Sequence, residues 1–593
     1  MNEKQKTILF WVITVLLPIL LFFLIELAFI IIGYEKDKQE LFVEAPKTPS
    51  HLIANAKFVP RYFPGFVPEV APNAFRKVKA ENTFRVFTFG GSSIEGFPYN
   101  FYYSFPELLE QKLLLNTQGL RVEVINLGMT AVNSYVIRDL SKRVLEYQPD
   151  AIIIYAGHNE YYGSFGAATT QFGFTNSVKL KRLIIWLKNF RSYQFLEGLL
   201  NRDSEGNGEQ RTMMAKVIRS SDIPLDSPTY NDGLVQYKEN MDDVVEWFGK
   251  LEIPVYIGSL ASNLKDQTPL SDDESLANSY QNARDLLANG QKQESLALFE
   301  EVKELDGTRF RAPEDINDII KELSSNEHVT LVDVQQLMRR SSSSGIEDES
   351  LFIDHLHPNE QAHRIIAQEF YEAIKQEPLI AQHLLENPID IPTSASRFEQ
   401  AYANISIARL LEGYPFVKNR SVEEELAAFN QKYNRYLQAN YIDSIAAVAS
   451  RNQVFVPLAL TETLANARSK KDTMEAVALS YDLLKWQLNS TNLIESSIEL
   501  TLGSKAKEPY LINLLHQVIN DGNEDPRYIE LLSSLYLVDN NTRQASYWLE
   551  LNESLTPNAP RLLYNYSRYH LLEGDTLKAA EYYQRFLATQ RNP

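Results

Sequence analysis

Apolar residues follow three successive patterns along this chain. The first is a nearly unbroken run, Ile8–Gly33 (ILFWVITVLLPILLFFLIELAFIIIG), interrupted only by Pro18 and Glu26. It exceeds the roughly 20 apolar residues that cross a bilayer. Trp11 and Tyr34 stand near its ends, where amphipathic rings settle. A cleaved signal peptide is the competing reading, but the run is too long for one and the first A-x-A pattern comes only at Ala54–Ala56. Residues 1–34 are therefore expected to be an uncleaved transmembrane anchor. Glu26 is costly there unless it is protonated, paired or near one end. Lys4 and Lys6 precede the run, while Lys36 and Lys38 lie among acids after it. This bias favours a single-pass chain with a cytoplasmic N-terminus and an extracytoplasmic, periplasmic bulk.

Residues 35–82 carry Pro46, Pro49, Pro60, Pro64, Pro68 and Pro72, and read as a linker or extended wrap. From Thr83 the second pattern appears, short apolar runs separated by helical periodicity. The runs are RVFTF (Arg85–Phe89), RVEVINL (Arg121–Leu127), DAIIIYA (Asp150–Ala156), IPVYIGSL (Ile253–Leu260) and VTLVDV (Val329–Val334). Strands alternating with helices predict a three-layer parallel α/β sheet over 83–394. In such sheets, active residues gather beyond the carboxyl ends of the strands.

The third pattern, 395–593, is helical without convincing strands. PRYIELLSSLYL at Pro526 and PRLLYNYSRYHL at Pro560 start 34 residues apart, and Ala545 and Ala579 keep that spacing. Asn540 corresponds to Gly574, and Pro557 falls where a repeat unit would end. The period is that of a tetratricopeptide (TPR) repeat, so an all-α, TPR-like domain is expected, degenerate over 395–525. Its groove is a candidate site for a protein partner. Leu276–Gly307 repeats the pattern through Gly290, Ser295 and Phe299. It predicts a helical hairpin inserted between the last two strands, with an ordinary amphipathic hairpin as the plainer reading.

Composition narrows the chemistry. The 593 residues carry a formal charge of −19 and no cysteine. Disulfides, Cys-ligated metals and a cysteine nucleophile are excluded. The negative balance argues against nucleic acid as the main partner. No P-loop, H-E-x-x-H or G-x-S-x-G occurs.

Four segments near strand ends can carry a reaction: FGGSS (Phe89–Ser93), NLGMTAVNSY (Asn126–Tyr135), YAGHNEYYG (Tyr155–Gly163) and DHLHP (Asp354–Pro358). Two glycines before Ser92 permit a tight turn that presents a serine at a helix start, although a plain N-cap serine looks the same. Gly128 and Asn159 each follow a strand, where a bare N–H or a side-chain amide can meet a ligand; both are also ordinary turn residues. Asp354 and His357, three apart, share one side of a helical turn. A histidine supplies the base that a serine nucleophile needs, and a carboxylate orients it.

In this order the segments resemble the SGNH (GDSL-type) hydrolases, over about Phe84 to Lys375. The resemblance implies a flavodoxin-like fold, Ser92 as nucleophile, His357 as base and Asp354 as its orienting acid. It further implies an oxyanion hole from Ser92 N–H, Gly128 N–H and Asn159, with no cofactor and no metal. GGSS stands where many members have GDSL. NLGMTAVNSY with YAGHNEYYG is similar to a membrane-anchored bacterial branch carrying C-terminal TPRs. Ester hydrolysis is expected, on O-acyl groups of a glycan or lipid. O-acyl transfer with the same triad, and an inactive TPR scaffold for an envelope complex, are the alternatives. The segment 163–229 and the hairpin 276–307 enlarge the family's usual core.

His355 is expected beside the site or exposed, and His363 to be structural. A metal set of Asp354, His357 and His363 would leave the Ser–Gly–Asn set unexplained. His158 lines the pocket or is structural, Glu160 stabilises its loop, and Arg311 forms a structural ion pair or meets an anionic substrate group. KLKRLIIWLKNFR (Lys179–Arg191) places leucines and isoleucine beside five cations. It reads as a lid, a packed surface helix or a basic helix on an anionic membrane.

Overall fold

The computed structural model describes residues 3–46, 48–63, 67–99, 103–169, 175–200, 222–392, 394–418, 420–451, 453–487, 490–505 and 507–591. Among the described residues one helix, Glu3–Ile32, is long and apolar enough to cross a membrane. After it, β1 (Phe42–Ala45), β2 (Thr48–Ala54) and β3 (Phe75–Arg76) form a small antiparallel sheet. This sheet lies against the next domain because Phe42 and Phe75 pack their rings on Phe87 and Tyr147.

The central sheet has five parallel strands: β4 (Thr83–Gly90), β5 (Arg121–Asn126), β6 (Ala151–Tyr155), β7 (Val255–Gly258) and β8 (Val329–Val332). Their order is β5-β4-β6-β7-β8. β4 and β6 are buried at every residue, as strands covered on both faces must be. Helices Phe105–Asn116 and Glu360–Ile374 pack on one face; Ser134–Val144, Pro228–Gly249 and Glu314–Leu323 pack on the other. This doubly wound order reverses direction between β4 and β6. A crevice therefore opens beyond their carboxyl ends.

Helices Glu274–Ala288 and Lys292–Leu305 form a hairpin between β7 and β8, closed around Tyr280, Ala283 and Phe299. From Arg397 to Arg591 the described residues contain helices and no strands. The last four are Pro526–Val538, Thr542–Leu555, Pro560–Leu572 and Thr576–Arg591, two pairs starting 34 residues apart.

This helical half is joined to the sheet's amino end. Arg121 of β5 donates to the carbonyls of Ile519 and Asn520, at 3.3 and 3.2 Å, and pairs with Glu524. The Asn520 side chain accepts from Val122 N and donates to Val122 O, at 2.9 and 2.7 Å. Deeper in, Lys485 bridges Glu107 and Glu110 of the Phe105–Asn116 helix, at 2.8 and 3.3 Å. A cavity of about 240 Å³ lies along this seam, lined by Leu120, Arg121, His516 and Trp548.

Candidate active site

β4 ends in two glycines for reasons of space. A Cβ on Gly90 would lie 2.2 Å from Tyr155 O, and one on Gly91 would lie 2.4 Å from Asn159 Nδ2. The second contact brings the Asn159 amide against the backbone that leads into Ser92. Ser92 opens the four-residue helix Ser92–Glu95, so its N–H belongs to the first turn and has no intrahelical acceptor.

Ser92 Oγ is 2.7 Å from His357 Nε2, and His357 Nδ1 is 2.6 Å from Asp354 Oδ2. With Nδ1–H directed at the carboxylate, Nε2 is left to accept from the serine hydroxyl. The two residues do not share a helical turn, as their spacing suggested. They lie on a loop in which Asp354 Oδ1 accepts from Leu356 N and His357 N, at 2.9 and 2.8 Å. The aspartate folds the chain back on itself, an Asx-type turn, and so sets the imidazole's position. Burial works against the Asp354 charge. The attraction of the histidine rings His357 and His355, with the His357 hydrogen bond, outweighs it and holds the carboxyl well below its ordinary value.

The expected oxyanion donors differ from one another. Asn159 spends one amide hydrogen on Val132 O, at 3.1 Å, and lines the cleft. Gly128 is needed for close packing, since a Cβ there would lie 2.4 Å from Glu95 N. Its N–H, however, donates to Asn126 Oδ1 at 2.8 Å. In this state Gly128 is a committed donor, unlike Ser92 and Asn159.

The remaining histidines separate clearly. His363 accepts from Phe105 N at 3.2 Å, and burial depresses its pKa to about 3. It stands apart from the group that gathers, which is Asp354, His355 and His357. Asp354 and His357 thus gather with His355 and not with His363, which does not fit the alternative metal set of Asp354, His357 and His363. His355 Nδ1 lies 3.3 Å from Asp354 Oδ1, without hydrogen-bond geometry, and the ring is fully buried against Phe310 and Phe416. His158 accepts from Ala312 N at 3.1 Å, and burial lowers its pKa to about 3. Glu160 accepts from Ser134 and Gln236; burial raises it to about 7. Arg311 pairs with Asp306 at 3.3 Å and donates to Asn263 O.

The cleft has a volume of about 150 Å³. Ser92, Asn159 and His357 form its floor, and its walls include Phe97, Thr130, Tyr162, Phe310 and Leu410. Phe97 lies 4.7 Å from the His357 ring, centroid to centroid. Thr130 donates to Glu95 Oε2 at 2.5 Å. Leu410 comes from helix Arg397–Leu411 of the helical half. Thr130 lies within the Asn126–Tyr135 segment, but no local motif in the sequence marks Phe97 or Leu410.

No protein-family model matches the chain, and no curated protein matches it. Among solved structures it is similar to a lipase/acylhydrolase from Enterococcus faecalis, with 14% identity over 49% of this chain and 95% of that one, TM-score 0.27. It is also similar to an acetyl xylan esterase, with 15% identity over 49% and 100%, TM-score 0.27. A third is a GDSL-like lipase from Bacteroides thetaiotaomicron, with 13% identity over 50% and 90%, TM-score 0.26. Similarity at this level assigns neither a family nor an activity to the chain.

Proposed function

We propose that this chain is a serine esterase of the SGNH type, held at a membrane by its N-terminal helix with its bulk outside the cytoplasm. The observation that carries the reading is the aligned set Ser92–His357–Asp354, with contacts of 2.7 and 2.6 Å. Ser92 Oγ attacks an ester carbonyl carbon while His357 Nε2 takes the hydroxyl proton. The carbonyl oxygen becomes an oxyanion, held by Ser92 N–H and the second amide hydrogen of Asn159. Gly128 N–H joins them by leaving Asn126. His357 then gives its proton to the departing alcohol, and an acyl-serine remains. Water, deprotonated by His357, attacks that ester and frees the acid and Ser92. Asp354 stabilises the imidazolium at both stages.

Glu26 supports an anchor that stays attached. Its carboxylate accepts from Arg191 N, Ser192 N and Ser192 Oγ, at 3.1, 2.8 and 2.7 Å. A segment destined for cleavage has no reason to cap a helix of the folded domain. The 34-residue helical pairs fit TPR-like units, with their concave side a candidate partner groove. The acyl ester is carried on a glycan or lipid. O-acyl transfer to a sugar hydroxyl is the second reading, favoured by the burial of Ser92 and His357, 9% and 4% exposed, since a covered site restrains water.

The test is hydrolysis of p-nitrophenyl acetate by the detergent-solubilised full chain beside Ser92→Ala. Turnover and fluorophosphonate labelling are expected in the parent and absent in the variant. Equal rates in both, or no labelling of the parent, would overturn the reading. Products formed with an acetylated glycan and an acceptor sugar separate hydrolysis from transfer.

A further inference from the structure

The five cations of Lys179–Arg191 do not form an outward basic face. Lys181 donates to Phe165 O and Gly166 O, Arg182 meets Asn240 and Asp243, and Lys188 pairs with Glu197. Arg191 donates to the carbonyl of Phe29, at 3.1 Å. Only Lys179 of the five is exposed. The outward residues of helices Val178–Leu187 and Arg191–Leu200 are instead large and apolar: Leu180, Leu183, Trp186, Leu196 and Leu199, between 38% and 53% exposed. Water-facing helices normally show polar residues there, and exposed apolar surface of this extent marks an interaction site.

The neighbouring element identifies what covers it. Along helix Glu3–Ile32, Phe22, Glu26 and Phe29 form one stripe at i, i+4, i+7, less exposed than the apolar residues around it. That stripe is where the helix pair sits. Phe190 packs on Phe22 and Phe23, Phe195 on Phe29 and Tyr34, and Trp186 on Phe190. The two elements also complete each other's backbone. Glu26 caps the amino end of Arg191–Leu200, and Arg191 meets late carbonyls of the long helix. Phe22 lies about 15 Å below the end of that helix at 1.5 Å per residue. The pair therefore rides alongside the outer third of the span, and its apolar face continues the apolar surface of the span.

We propose that helices Val178–Leu187 and Arg191–Leu200 are a second membrane element, lying shallowly in the headgroup–acyl boundary of a lipid bilayer. This rests on the anchor reading above. The element is tied to the chemistry: Lys181 of its first helix holds the Phe165 and Gly166 carbonyls, on the loop that follows Asn159. Seating the pair in lipid fixes how the cleft stands relative to the bilayer, so that its ester substrate is met at the membrane surface.

The absence of cysteine allows a direct test with the full chain. Single cysteines at Leu183 and Leu196 carry an environment-sensitive fluorophore in phosphatidylethanolamine/phosphatidylglycerol proteoliposomes. Leu16→Cys reports the span, and Leu458→Cys, on an exposed position of the helical half, reports water. Labels at 183 and 196 are expected to show blue-shifted emission, loss of iodide quenching relative to 458, and stronger quenching by a shallow lipid-borne nitroxide than by a deep one. Labels at 183 and 196 as open to iodide as 458, with 16 protected, would overturn the proposal and leave the anchor standing. Iodide access at 16 as well would overturn the anchor itself. Protection from iodide without lipid quenching would place a protein there, and would also overturn it. Retained p-nitrophenyl acetate turnover shows that each variant is folded.

Discussion

The two ends of the central sheet are built on opposite rules. At the amino end and along the seam with the helical half, polar groups are matched in closed sets: Arg121 with two carbonyls and Glu524, Asn520 with both backbone groups of Val122, Lys485 between Glu107 and Glu110. At the carboxyl end, the groups form an open line: Ser92 in the cleft donates to His357, and His357 donates to Asp354. Closed sets fix two bodies together, whereas an open line holds capacity in reserve for a ligand. The helical half touches both ends, locking one through Asn520 and walling the other through Leu410. It therefore lines the cleft as well as accompanying the domain that holds it.

The open end should give the largest response to substitution. Asp354→Asn keeps the shape but loses the acceptor that orients His357 Nδ1–H. Turnover of p-nitrophenyl acetate should fall by about 10⁴, with thermal stability little changed. A loss below tenfold would mean that Asp354 is only a loop-former.

The closed seam should respond the other way round. Lys485→Met leaves Glu107 and Glu110 buried without their cation. Stability should drop by about 3–5 kcal/mol, measured by chemical denaturation in detergent, while kcat per folded molecule holds. A variant as stable as the parent would show that the seam is not held by this charge set.

Leu410 tests the link between the ends. Leu410→Ala removes three carbons from one wall of a 150 Å³ cleft. The kcat/KM ratio of p-nitrophenyl butyrate to acetate should rise roughly tenfold, at about 1–3 kcal/mol per methylene-sized change. An unchanged ratio would remove the helical half from substrate selection.

What the sequence disclosed follows the same division. Strands β4 to β8 and the Ser92, Gly128 and Asn159 segments were legible because each is a local pattern: an apolar run, then glycine or asparagine. The Asp354–His357 pairing was legible as a spacing, but its cause was not. Three residues apart suggests a helical turn, and only the Leu356 and His357 amides on Asp354 show a loop instead. The Lys179–Arg191 cations read as a basic face because their partners, Asp243, Glu197 and the Phe29 carbonyl, lie in other elements. Glu26 likewise found its partner more than 160 residues away. Leu410 was silent for the same reason, since nothing in a helical leucine tells which cavity it will line.

The remaining effect concerns a group that belongs to the open end but is satisfied like the closed one. Glu95 lies three residues after Ser92, is buried, and accepts from Thr130 in the cleft wall. Burial raises its carboxyl from the ordinary 4.5 to about 8, and Thr130's hydrogen bond offsets part of that. The folded chain thus keeps a proton that the unfolded chain releases between pH 4.5 and 8. The folded state binds more protons across that window, so stability falls as pH rises through it, by at most about 1.4 kcal/mol per unit for one proton. Glu95→Gln keeps the shape and the acceptor for Thr130 but cannot ionise. Between pH 5.5 and 8 the parent's unfolding free energy should decline more steeply than the variant's, the two converging toward the acid side. Parallel curves would show that Glu95 is ionised in the fold, and that its bond to Thr130 is charge-assisted.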